Sequence, residues 1–192
     1  RLPTIKMKFA AMDDINLNDL NLDTSELSPF EQESTAGNME SHNTQLILVP
    51  LPIGEQSWLW MNTPQYIDSI KPIMHWVAED ARTLRRFLSS LKVGIPLNDL
   101  DIFELNTRTP QKQLEAFLKD IQNIKLIGVA SEAGMPCIAD PGAMLVKIGH
   151  QRGWDIKPIM GPNSLMLALA SSGLSGQTFT FLPQGFPVLH SR

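Results

Sequence analysis

Two carboxylates and a guanidinium, Glu79, Asp80 and Arg82, follow an apolar run that ends at Ala78. If the substrate carries a hydroxyl, a carboxylate at a strand end can orient it or take its proton. Asp80 is equally well placed to cap the helix after it, with Glu79 and Arg82 as solvated charges. A second constellation is the stretch 126–142, LIGVASEAGMPCIADPG. It opens as an apolar run long enough for one buried strand and breaks into a small-residue turn. It then reads Asp140-Pro141-Gly142 before an apolar helical pattern. Strand, glycine turn, helix is how α/β folds set backbone N–H groups against a ligand at a strand's carboxyl end. Gly161-Pro162-Asn163-Ser164 is its partner, and Leu51-Pro52-Ile53-Gly54 is a further turn built from Pro and Gly. Taken singly, each reads as an ordinary corner of a sheet, and Asp140 before Pro141 reads as a helix N-cap. No cluster of Cys and His has the spacing of a metal site.

The elements that must position these residues follow from the apolar periods. Residues 45–50, 73–78, 102–105, 125–130, 155–160 and 178–182 read as strands. Helices are expected over 64–70 with Thr63 as cap, and over 80–92 with Leu84, Phe87, Leu88 and Leu91 on the buried face. Thr109-Pro110 reads as cap and first turn of a helix that buries Leu114, Phe117, Leu118 and Ile121. Another helix follows Asp140-Pro141, with Met144, Leu145 and Ile148 inward. The stretch 163–172 is almost wholly apolar, which predicts a buried helix. Strands alternating with helices define an α/β fold, a Rossmann-like, mostly parallel sheet with helices on both faces. His75 and Trp58 and Trp60 are expected to pack; Cys137 reads as a buried small residue without an activating base.

The 192 residues carry a net charge of −4, unevenly spread. No Lys or Arg lies between Phe9 and Ile70, while acids crowd 13–40. Residues 1–44 are expected to be an acidic, disordered extension, 45–182 the α/β domain, and 183–192 a linker. Asp14, Asn16 and Asn18 pass for the start of a calcium loop, but Asp19 stands where Gly is needed and Ser25 where an acid is needed. A single cysteine excludes an intrachain disulfide and fits a cytoplasmic location. No apolar run approaches the roughly 20 residues of a membrane span. A first residue other than Met, and an end soon after an expected strand, predict a fragment.

Five segments together resemble one family. SEAGMPCIADPG, then GPNSLMLALASSGL, are similar to the tetrapyrrole-methylase-type S-adenosylmethionine methyltransferases. The nearest likeness is to the small-subunit ribosomal RNA cytidine 2′-O-methyltransferase branch. LILVPLPIGE, VAEDAR and FTFLPQGFP match that branch's segments in order, so the resemblance covers about residues 45–187. It implies the N-terminal domain of a two-domain fold whose cleft holds S-adenosylmethionine, with a second domain missing here. It places Pro52, Gly54, Ser131, Glu132, Gly134, Met135, Pro136, Ile138, Gly161 and Ser164 at the cofactor, and it implies a homodimer. The acceptor implied is an RNA ribose hydroxyl. Arg82, Arg85 and Arg86 then serve either RNA phosphates or a solvated helix surface. Glu55, Ala81, Glu132 and Met135 depart from the branch's pattern, on the substrate side more than the cofactor side. Two other readings stay open: carbon methylation of a tetrapyrrole, and a non-catalytic binding remnant of the fold.

Overall fold

The computed structural model describes residues 44–92 and 94–180. The expected acidic extension and the linker fall, apart from Thr44, outside the described residues. Chain contacts divide after Leu165: the site and the sheet belong to the unit that ends there, and residues 166–180 belong to the other.

Five parallel strands form the sheet: β1 (Gln45–Leu48), β2 (His75–Ala78), β3 (Asp101–Glu104), β4 (Leu126–Ala130) and β5 (Asp155–Pro158). Their spatial order is β3-β2-β4-β1-β5. The central strand β4 therefore pairs with β1 on one side, in the register Leu48↔Val129, and with β2 on the other, Ala78↔Ala130. Every strand points the same way, so every carboxyl end opens on one edge.

Alternation along each strand splits the core into two layers. Ile47, Val49, Trp76 and Ala78 face one side, where α1 (Glu55–Met61), α2 (Pro64–Ile70) and α3 (Ala81–Ser90) cover them. Leu46, Val77, Ile127 and Val129 face the other, under α4 (Gln111–Asp120) and α5 (Gly142–Gln151). The chain leaves β2 for one face and β4 for the opposite face, in diverging directions. Such a reversal opens a crevice at the carboxyl ends of the two strands.

Two buried groups lock the first layer. Trp76 donates its indole N–H to the Ile73 carbonyl at 3.0 Å, and its ring lies on the backbone of Gly128. A Cβ at Gly128 would sit 2.6 Å from Trp76 Cε3 and 3.0 Å from Ile73 Cγ2. Tyr66 donates from its buried hydroxyl to the Pro50 carbonyl at 2.7 Å, which ties α2 to the loop leaving β1.

Helix α2 starts at Thr63, whose hydroxyl accepts from the Tyr66 N–H as expected. Five expectations are corrected. Thr109 does not cap α4: its hydroxyl accepts from Asn106 N–H and donates to the Glu104 carbonyl, leaving Pro110 before the first turn. Met144 is 40% exposed, because the inward face of α5 is narrow and taken by Leu145 and Gly149. His75 is not a core residue; it opens β2 beside Asp101 on β3, Nδ1 to Oδ2 at 3.2 Å. The apolar helix α6 (Ser164–Ser171), whose composition favours burial, has no buried residue among the described residues. Thr178, Phe179 and Thr180 form no strand, and the rest of that expected strand lies outside the described residues. Among the described residues no helix is long and apolar enough to cross a membrane.

Gly128→Ala adds a methyl where the Trp76 ring already lies. It should destabilise the domain by roughly 1–3 kcal/mol. The expected observation is a lower urea midpoint at an unchanged slope.

Candidate functional site

The site grows from the loop after β4. Ser131 is buried and donates from its hydroxyl to the Ala133 carbonyl at 3.1 Å, which turns the chain back at once. Gly134 then forms a two-hydrogen-bond bridge with Leu51: each N–H donates to the other's carbonyl at 2.9 Å. Its φ of +71° suits glycine. Space is tight as well, since a Cβ there would lie 3.1 Å from Ile53 Cγ2 and 3.3 Å from the Pro162 carbonyl oxygen. Gly134 thus touches both other turns. Gly161 closes the group: a Cβ on it would run into the Pro50 ring. The loops after β1, β4 and β5 therefore meet as one wall at the carboxyl edge.

Within that wall Pro52 and Met135 are half-buried and Pro136 is buried, while Gly54, Glu132, Ile138, Gly161 and Ser164 are exposed. Ser57 holds the first turn: its hydroxyl accepts from the N–H groups of Ile53 and Gly54 at 2.9 and 3.0 Å. The sequence reading missed both Ser57 and the helix α1 that it starts. Trp58 of α1 packs edge-on against Phe87 of α3, with ring centroids 5.8 Å apart. Trp60, expected to pack, is 83% exposed instead, because Trp58 and Met61 occupy the inward positions of this short helix.

The other end of the same loop is held by Asp140. One carboxylate oxygen accepts from Cys137 N–H and the other from Gly142 N–H, both at 2.7 Å. The clamp bridges two non-glycine residues at positive φ, Cys137 at 67° and Ala139 at 60°, a conformation that costs energy unless its surroundings fix it. Gly142 lets the carboxylate approach: a Cβ there would lie 2.8 Å from Asp140 Oδ1. The expected N-cap is corrected: Pro141 holds the N-cap position of α5 without a side-chain cap, and Asp140, one residue earlier, binds the N–H of the first helical residue and shapes the loop. Burial pushes its pKa up, against the pull of N–H donors from Gly142, Cys137 and Ile138. Cys137 is half-buried, and burial with the nearby Asp140 charge raises its thiol to about 12.

The third group lies across the crevice. Glu79 continues the β2 ladder by donating its N–H to the Ala130 carbonyl at 3.0 Å. Its carboxylate accepts from the Glu132 N–H at 3.2 Å, which fastens the β2 end to the glycine loop. Burial raises its pKa, and the charges of Asp140, Glu132 and Asp80 add to the rise, while the Glu132 N–H opposes it. Asn106, another residue the sequence reading did not single out, donates to the Glu79 carbonyl at 3.4 Å and to the Glu104 carboxylate at 3.0 Å. Glu79 and Asp140 line one recess with Val77, Ala78, Leu105, Val129, Ala130 and Gly142. Asp80 stands apart from it. Its carboxylate accepts from the Thr83 N–H as the N-cap of α3. Hydrogen bonding to Thr83 holds its pKa down, with smaller help from Arg82 and Arg86. Arg82 is exposed at the second position of that helix.

A parallel sheet whose glycine turns converge at its carboxyl edge, beside an acidic crevice, defines a unit of the doubly wound α/β class. No family model matches the chain, but curated proteins do. It is 32% identical over 139 residues to the ribosomal RNA small subunit methyltransferase I of Campylobacter fetus, covering 71% of this chain and 50% of that protein. The protein of the same name from Thermotoga maritima is 31% identical over 144 residues, covering 73% and 61%. That of Bacillus subtilis is 34% identical over 136 residues, covering 71% and 44%. The chain is a homologue of these ribosomal RNA small subunit methyltransferase I proteins, the branch that its five motifs resemble. It spans about half the length of the curated relatives it matches.

The Cys137 thiol should alkylate slowly in the folded protein. With a pKa of about 12, its thiolate fraction near pH 8 is roughly a thousandfold below that of a free cysteine. Iodoacetamide labelling with and without urea measures the difference. Asp140→Ala removes both the clamp and the nearby charge. It should speed labelling of the folded protein and cost about 2 kcal/mol of stability.

Proposed function

We propose that this chain is the donor-binding part of an S-adenosylmethionine-dependent methyltransferase that modifies a ribose hydroxyl of small-subunit ribosomal RNA. The observation that carries the reading is the wall of three joined turns, where Gly134 takes a positive φ and Gly161 admits no Cβ, in a homologue of ribosomal RNA methyltransferases. The residues suit the cofactor. Backbone at Gly54 faces open space with nothing within 4 Å of a Cβ position. Ile138 and Met160, 41% and 93% exposed, offer apolar surface for a purine. Ser131, Glu132 and Ser164 bring hydroxyls and a carboxylate suited to ribose and amino groups. When bound, S-adenosylmethionine supplies an activated methyl group; the chain supplies position and electrostatics.

Of the three candidates at the end of β2, Glu79 has the properties of a proton acceptor. Its carboxylate lies at the crevice beside the glycine loop, and its raised pKa makes it a stronger base than an ordinary glutamate. Asp80 serves as the helix cap, and Arg82 adds positive charge beside it. A cytoplasmic homodimer belongs to the same proposal and rests on the family resemblance.

Calorimetry on the full polypeptide should show S-adenosylmethionine binding, and labelled methyl groups should appear on small-subunit ribosomal RNA. Failure of folded protein to bind the cofactor would remove this reading, and transfer to a porphyrinogen instead would reassign the acceptor. Glu79→Gln should lower turnover about a hundredfold or more, with cofactor affinity little changed. Because Glu79 acts when ionised, its raised pKa should move the rising acid limb of kcat/KM up from where an ordinary glutamate would place it. Asp80→Ala should instead cost about 1 kcal/mol of stability through the lost cap, leaving turnover per folded molecule and its pH profile nearly intact.

A further inference from the structure

Helix α3 holds three arginines and no acid. Arg82, Arg85 and Arg86 are spaced three and four residues apart, so they share one helical face. All three are exposed, and none forms a salt bridge among the described residues. Two electrostatic rules are broken here. Like charges at this spacing repel, and a cation in the first turn opposes the positive end of the helix dipole. Asp80 offsets a part only, its carboxylate being engaged with the Thr83 N–H. A local cost that Asp80 offsets only in part, with no salt bridge to these arginines among the described residues, points to a further partner.

A second feature lies on the neighbouring helix. Trp60 of α1 is 83% exposed, although its neighbour Trp58 packs on Phe87 of α3 and joins the two helices. An exposed indole and a file of exposed guanidinium groups are complementary to single-stranded nucleic acid. Aromatic rings stack on bases, and arginines take phosphates. The stripe begins three residues after Glu79, the residue that meets the glycine loop.

We propose that Arg82, Arg85 and Arg86 of α3, with Trp60 of α1, form the docking surface for the single-stranded RNA that carries the acceptor ribose. The proposal deepens the methyltransferase reading and rests on it. The test is fluorescence anisotropy of the full polypeptide with a short labelled single-stranded RNA, titrated between about 50 and 200 mM salt. The double variant Arg85→Gln/Arg86→Gln should bind roughly tenfold more weakly, and its salt slope should fall by about 1.4, the value for two lost phosphate contacts on a single strand. Arg85→Lys/Arg86→Lys should keep the slope. Trp60→Ala should weaken binding about tenfold with the slope unchanged. Calorimetric binding of S-adenosylmethionine should be the same in all variants, which also reports correct folding. If the parent protein binds and methylates RNA while the Gln variant keeps both affinity and slope, the surface is elsewhere and the methyltransferase reading stands. If the parent protein binds the cofactor but no RNA, both the docking surface and the RNA acceptor are overturned.

Discussion

The site depends on two backbone hydrogen bonds, the reciprocal pair between Leu51 and Gly134. Parallel strands β1 and β4 are held side by side through Leu48 and Val129, but beyond that register nothing in the sheet obliges their loops to stay together. The bridge reverses the local pairing from parallel to antiparallel and converts two corners into one surface. It satisfies four backbone groups of a buried stretch that would otherwise lack partners. It also brings Gly134 against Ile53 and the Pro162 carbonyl, so the turn after β5 becomes part of the wall. Leu51, 1% exposed, roots the bridge in the core beneath it. The position of the candidate donor wall is therefore a property of the hydrophobic layer as much as of the loops.

Charge is distributed across this edge by what each carboxylate meets. Asp80, at the protein surface, receives an N–H and neighbouring guanidinium groups, and it remains a ready anion. Glu79 and Asp140 lie where water is partly excluded, and there desolvation outweighs the N–H donors they have. The two are tuned in the same direction for different tasks. Asp140 gives both oxygens to its own loop and holds two residues at positive φ. Glu79 gives one oxygen to the Glu132 N–H and keeps a place in the recess. Neighbouring acids thus differ in chemistry because of geometry rather than residue type.

Much of this was readable in the chain. Apolar runs located the five strands, and Thr63-Pro64 and Asp80 marked helix starts correctly. The glycines at 134 and 161 were visible as turn residues, but not the contacts that make them necessary, since Pro50 and Gly161 are far apart in sequence. The difference in surroundings between Asp80 and Glu79 was equally hidden, because Glu79 meets an N–H contributed by Glu132, 53 residues away. Helix α1 escaped notice because seven residues carry too little periodicity to stand out. The apolar α6 was expected to be buried, yet composition records a demand for burial and not the surface that meets it. His75 misled for a related reason. An apolar strand predicts a packed interior, but the first residue of a strand lies at the sheet's rim, where a cross-strand acid is the nearer neighbour.

The contact between Trp76 and Gly128 has a consequence for how such a chain can change over time. One ring fills the volume of two side chains, so positions 76 and 128 hold a common allotment of space on adjacent strands. A descendant that first replaces the indole with a smaller group is free to gain atoms on the central strand. One that gains them first meets a barrier. The order of substitution is therefore constrained, and the strand that carries the glycine loop inherits that restraint from a residue on the next strand.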